Sequence, residues 1–196
     1  MKLVFATSNK NKAAEIAKLL PTKYEVLSLN DIGHSEEIPE TSATIEGNAQ
    51  QKSNYIVNQY SMNCFADDTG LEVPSLNNEP GVRSARYAGS DRCDDKNLKL
   101  LLDKLSTKKD RSARFRTVIS LELNGANYQF EGIVIGKILI EKKGANGFGY
   151  DPVFYLPELD CTSAQLSEEE KNRKSHRGQA LQEILKRLLS RKKIST

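Results

Sequence analysis

The chain has 196 residues, 38% hydrophobic and 28% charged, with a formal net charge of +3. That length suits one domain with a real core, and the reading is a single domain over residues 1–196. No apolar run is long enough to span a membrane, no secretory signal opens the chain, and the charge is too mild to argue for nucleic acid; Cys64, Cys93 and Cys161 lack the spacing of zinc or redox sites, so the expectation is a cytoplasmic protein with reduced cysteines and neither membrane nor nucleic-acid partners.

Leu3-Val4-Phe5-Ala6 reads as a short buried strand. Thr7, Ser8, Asn9, Lys10, Asn11 and Lys12 follow, and then a helical pattern with Ala13, Ile16, Ala17, Leu19 and Leu20 on one side, ended by Pro21. A strand that delivers hydroxyl, amide and ammonium groups to a helix N-terminus makes a site for an anion such as phosphate. The same residues also fit an ordinary N-cap at Ser8 or Asn9 with solvated lysines. Tyr24 to Leu29 reads as a second strand, and Glu36, Glu37 and Glu40 lie in an acidic loop. A helix is predicted from Thr44 to about Tyr60, capped by Thr44 or Ser42, with Lys52 beside its apolar stripe as a snorkelling side chain or a phosphate contact.

A strand around Met62 to Ala66 leads to Asp67-Asp68, and Thr69-Gly70 reads as a turn. Charge at the edge of an apolar run is costly unless it meets a metal, a cation or a reacting group, so Asp68 is taken as a metal-dependent catalytic carboxylate. Arg83 and Arg86 could clamp an anion or act as scaffold toward Asp68 or Glu72. Asp94 or Asp95 is expected to cap a helix carrying Leu98, Leu101, Leu102 and Leu105. Strands over Ala113 to Leu123 and Asn127 to Ile135 flank the hairpin dipeptide Asn124-Gly125, with Ile138 to Ile140 extending the sheet. In Gly144 to Pro152 the glycines allow close backbone approach, and Phe148, Tyr150 and Asp151 suit a planar heterocycle, unless the aromatics plug the core. Ser167 to Glu170 is a capping box, and Ser175 is the expected N-cap of a closing helix through Leu189. His176 and Arg177 then sit in a first turn, where cations oppose the helix dipole, which points to a bound polyanion or a base with keto oxygens, unless the pair simply faces solvent. Arg187 to Lys193 reads as a solvated tail.

Together, Thr7 to Lys12, Ala66 to Leu71, Pro80 to Tyr87, Gly147 to Pro152 and Ser175 to Gly178 resemble the Ham1 family of inosine/xanthosine triphosphate pyrophosphatases, over nearly the whole chain. The resemblance implies an α/β fold, ITPase/Maf-like, with an elongated central mixed sheet flanked by helices and two lobes around an active-site cleft. It implies a homodimeric hydrolase that converts non-standard purine triphosphates (ITP, dITP, XTP) to the monophosphate and pyrophosphate with Mg2+. Asp68 then matches the catalytic carboxylate and a metal ligand, and Glu40 a second metal position. Thr7, Ser8, Asn9, Lys10, Asn11, Lys12 and Lys52 match the triphosphate grip, and Thr69, Phe148, Gly149, Tyr150, Asp151, Lys171, His176 and Arg177 the nucleoside pocket. Thr69 stands where serine is commoner and keeps the hydroxyl; Arg83 stands where an aromatic is frequent. The alternatives are a pyrophosphatase for pyrimidine nucleotides and a non-enzymatic nucleotide- or nucleic-acid-binding module.

Overall fold

A computed structural model describes residues 1–9, 12 and 24–190. The predicted helix over Ala13 to Leu20, with Lys10 and Asn11, lies outside the described residues, as do the last residues of the tail. The strands are β1 (Lys2–Phe5), β2 (Glu25–Leu27), β3 (Cys64–Val73), β4 (Glu79–Gly81), β5 (Ser112–Leu123), β6 (Ala126–Ile138), β7 (Phe154–Leu156) and β8 (Cys161–Thr162). They form one sheet in the order β2-β1-β3-β5-β6-β7-β8, with β4 on β3. β1 runs parallel to β2 and β3, whereas β3–β4, β6–β7 and β7–β8 are antiparallel, so this is a mixed α/β sheet. The helices are α1 (Ile45–Tyr60), α2 (Asp94–Lys104), α3 (Glu168–Lys174) and α4 (His176–Ser190).

Two compact units divide the chain. One is Met1–Asp68, Thr117–Gly132 and Arg177–Thr196; the other is Thr69–Arg116 and Ile133–His176. In the first unit, side-chain alternation along the strands separates two cores. Leu3, Phe5 and Phe65 pack with Ile119 and Leu121 against Ala180, Leu181, Ile184 and Leu188 of α4. Val4, Ala6, Cys64 and Ala66 pack with Leu29 and Ile38 against Ile56 of α1. Because both faces of β1 and of the start of β3 are covered, their sequences are continuous apolar runs. The rings of Phe5 and Phe65, directly paired across the ladder, stack with centroids 4.6 Å apart. Arg187, expected in a solvated tail, instead lies over the Tyr128 ring at 4.3 Å. The second unit is built on Leu98, Leu101, Leu105, Phe115, Ile138, Val153 and Phe154.

Local chemistry explains most boundaries. The Thr44 hydroxyl accepts from the Gly47 amide and starts α1, and Ser167 with Glu170 closes a reciprocal capping box at α3. Asn124 and Gly125, at φ 51 and 79, make the two-residue turn between β5 and β6. Three expectations need correction. Thr69-Gly70 is no turn: β3 runs unbroken to Val73, which puts both aspartates inside a strand. The cap of α2 falls on Cys93 rather than Asp94 or Asp95, because Asp94 accepts from the Gly149 amide at 2.8 Å and Asp95 pairs with Lys142 at 2.7 Å. The last extension of the sheet stops at Ile138, where the Leu139 amide turns to the Val153 carbonyl.

Candidate active site

Strand alternation sends Asp67 and Asp68 to opposite faces of β3. Asp67, fully buried, lies on the α4 side, with Lys12 Nζ at 2.9 Å and Arg177 Nε at 3.2 Å from its Oδ2. Burial alone would raise its pKa, but Lys12, Arg177 and Lys52 together hold the carboxyl well below the usual range. Asp67 is therefore a fixed anion. Arg177, 3% exposed, is tied to it from the first turn of α4, which accounts for a cation at the wrong end of the helix dipole.

Asp68 lies on the α1 side and has a different fate. Its Oδ2 accepts from Asn48 Nδ2 at 3.3 Å, and its Oδ1 lies 3.8 Å from Lys52 Nζ. Desolvation prevails over the pull of Lys52 and Lys12 and raises its pKa above the ordinary carboxylate value, which makes it the better proton acceptor of the pair. Lys52 also pairs with Glu40 Oε1 at 2.5 Å. Burial opposes its charge, yet Asp68, Glu40 and Asp67 raise the Lys52 pKa, so the ammonium persists. Two carboxylates thus converge on one buried positive charge. Hard oxygen donors in that number fit Mg2+, which takes one or two carboxylates and fills its shell with water and phosphate oxygens. Among the described residues no group of three or more His, Cys, Asp or Glu could hold a metal.

Of the expected phosphate loop, the described part is Thr7, Ser8, Asn9 and Lys12. Asn9 Oδ1 accepts from the Lys12 amide and Thr7 Oγ1 from the Asn9 amide, both at 3.2 Å, so the short side chains shape the loop while Lys12 reaches the carboxylate. Ser8 and Asn9 are exposed.

A second cluster stands in the second unit. Asp151, buried, accepts at Oδ2 from the Phe148 amide at 2.9 Å and from Lys171 Nζ at 2.7 Å. Lys171 also lies 4.7 Å from the centre of the Phe148 ring. Gly147 has φ 83, and a Cβ there would stand 2.3 Å from Asp151 Oδ2, so only glycine lets the loop wrap this carboxylate. Phe148 and Gly149 are half-buried, whereas Tyr150 belongs to the core and donates its hydroxyl to the Ser84 carbonyl at 2.8 Å. One aromatic of the motif plugs the core and the other remains at the surface. His176 stacks on Phe115 with centroids 4.9 Å apart, which fixes its ring plane. Glu72, a candidate partner for Arg83 or Arg86, is held by Arg114. Thr69, at the middle of β3, is half-buried.

Sequence reading did not single out Asn48 or Gln51, which bind the Glu40 loop to α1, and took Ser42 as a candidate helix cap, whereas its amide donates to Asn48. The signal was present: Asn48 precedes Lys52 by four positions and so shares its helix face.

The fold and these two clusters define a class. The sequence model of the Ham1 family matches residues 3–187, and the chain belongs to that family. Among its relatives, the dITP/XTP pyrophosphatase of Flavobacterium johnsoniae is 53% identical over 192 residues, which cover 98% of this chain and 100% of that one. The solved Ham1 protein of Staphylococcus aureus superposes with a TM-score of 0.89 at 41% identity, covering 98% of this chain and 100% of its own. That of Coxiella burnetii gives 0.91 at 37% identity, covering 97% and 99%.

Proposed function

We propose that the chain is a Mg2+-dependent pyrophosphatase that hydrolyses ITP, dITP and XTP to the nucleoside monophosphate and pyrophosphate. The observation that carries this is the asymmetry of Asp67 and Asp68: one carboxylate locked as an anion, the other raised in pKa beside Glu40 and Lys52. Release of pyrophosphate requires water to attack the α-phosphorus while the bond from that phosphorus to the α,β-bridging oxygen breaks. Asp68 takes the proton of that water at Oδ1. Bound at Asp68 and Glu40, Mg2+ would supply charge neutralisation at the phosphate oxygens. Thr7 to Lys12 and Lys52 bind the phosphates; Asp67 fixes Lys12 and Arg177. Phe148 offers a face to the base, and Lys171, held by Asp151, with His176 supplies donors for a 6-keto oxygen that an adenine amino group cannot satisfy. A cytoplasmic setting and a homodimer accord with the family resemblance, and Ile135 and Ile140, 76% and 78% exposed, offer apolar surface to a second copy. Among the described residues no helix is long and apolar enough to cross a membrane.

The test is pyrophosphate release with Mg2+ from ITP, dITP, XTP, ATP, GTP and CTP in parallel. The first three are expected to turn over far faster; equal rates, or a preference for CTP, would discard the purine-keto reading. In the Asp68→Asn variant turnover should vanish while ITP binding persists.

A further inference from the structure

The loop that carries Glu40 has no regular structure of its own, yet one face of α1 grips three of its successive residues. Lys52 holds Glu40. Gln51 accepts from the Thr41 amide at 2.9 Å through Oε1 and donates to the Thr41 hydroxyl at 3.0 Å through Nε2. Asn48 Oδ1 accepts from the Ser42 amide at 2.9 Å. Positions 48, 51 and 52 are neighbours on a helix surface, so one rigid element sets the whole segment.

Asn48 does something more. It is 2% exposed, and its Nδ2 donates to Asp68 Oδ2 at 3.3 Å. The orientation of its amide is settled by chemistry: a backbone N–H only donates, so the end facing Ser42 is the oxygen and the end facing Asp68 is the NH2. Asp68 Oδ2 is thereby engaged, and Oδ1 is the oxygen turned toward Lys52. The terminal torsion of an aspartate is broad and intrinsically two-fold, so without a fixed donor the two oxygens can exchange places. Catalytic groups need their orientation held to about 10–20°.

We propose that Asn48 is a positioning residue that clamps the Asp68 carboxylate and couples its orientation to the Glu40 loop, a role that rests on the reading of Asp68 as the proton acceptor. The variant Asn48→Asp is nearly isosteric and keeps the acceptor for Ser42, but it turns the donor facing Asp68 into a second acceptor. Its kcat for ITP should fall by about 10- to 100-fold, the usual effect of losing a group that orients a metal-binding residue. The KM for ITP should stay within about threefold, because the substrate touches no altered atom. A purely structural asparagine would lower the melting temperature and leave kcat per folded molecule unchanged, and that result overturns the proposal. Asp68→Asn is measured alongside. If it keeps turnover, the reading of Asp68 and this inference both fall; if it is inactive while Asn48→Asp keeps its kcat, this inference alone falls. Should Asn48→Asp not fold, the 15N side-chain amide signal of Asn48 in the unsubstituted protein decides: a saturable shift on adding Mg2+ supports the clamp, and an unmoved signal overturns it.

Discussion

Asp67 and Asp68 are adjacent on β3, yet Asp67 is neutralised from the α4 side by Lys12 and Arg177 while Asp68 meets Lys52 and Asn48 from the α1 side. Their substitution should therefore separate stability from turnover. Asp67→Asn leaves two cations without their buried counter-charge and should cost roughly 3–5 kcal/mol. Asp68→Asn removes a carboxylate whose charge burial disfavours, so its thermal midpoint should stay near or above that of the parent, with activity lost. Calorimetric unfolding of the two variants checks this; equal destabilisation would contradict the division of roles.

The same asymmetry gives a pH dependence with a definite sign. The folded-state pKa of Asp67 lies below its unfolded value, so its stabilising contribution is complete above about pH 4 and declines as acid drives the pH toward the folded value. Asp67→Asn should flatten the acid limb of the stability curve. Denaturant titrations between pH 2.5 and 7, a range set to bracket the ordinary carboxylate pKa of about 3.9, will show a parallel offset instead if Asp67 is not the group responsible.

Gly47 is predicted to matter through shape. A Cβ on it would stand 2.0 Å from Ser42 Oγ and 2.7 Å from Ser42 Cβ, against the loop that α1 holds. Gly47→Ala gains helix propensity of about 1 kcal/mol, but the overlap should cost about 1–3 kcal/mol and push Ser42 off Asn48. Stability and kcat should fall together, and adding Ser42→Gly should restore much of both, as a double-mutant cycle will show.

Much of this was legible in the sequence where a signal is local. The Thr44 cap, the Ser167–Glu170 box and the Asn124-Gly125 hairpin each depend on residues within a few positions, and each stands as expected. Thr69-Gly70 misled because a glycine beside polar residues has the composition of a turn, whereas pairing of Leu71 and Val73 with β4 keeps it extended. Arg177 could be singled out for breaking the dipole rule, but its partner Asp67 is 110 residues away, and no local pattern encodes that pairing. Tyr150 and Phe148 are likewise alike in sequence; only the core around Ser84 and Leu98 decides that Tyr150 is buried.

Lys171→Met should weaken substrate binding more than chemistry. It removes the ammonium shared by Asp151 and the Phe148 ring. The KM for ITP should rise about tenfold, with kcat changed by less than about threefold. A loss confined to kcat would move Lys171 out of the base-binding group.

Chelation should stop ITP hydrolysis without unfolding the chain, because Lys52 already supplies positive charge to Glu40 and Asp68. Activity should return on adding Mg2+, and circular dichroism should show one cooperative melt with and without the ion. In Lys52→Met the metal-free protein should melt earlier and regain more on Mg2+ addition.

The core that covers Phe5 and Phe65 is closed by Ala180, Leu181, Ile184 and Leu188, and Tyr24 donates its hydroxyl to the Leu188 carbonyl across 164 positions. During synthesis, then, β1 must wait for the distant α4 before one of its faces is dry. Such long-range closure makes folding slow and leaves the nascent chain dependent on protection until α4 has emerged. Loss of α4 would strand the apolar side chains of β1, so a transcript cut before α4 should yield aggregates in place of a trimmed enzyme.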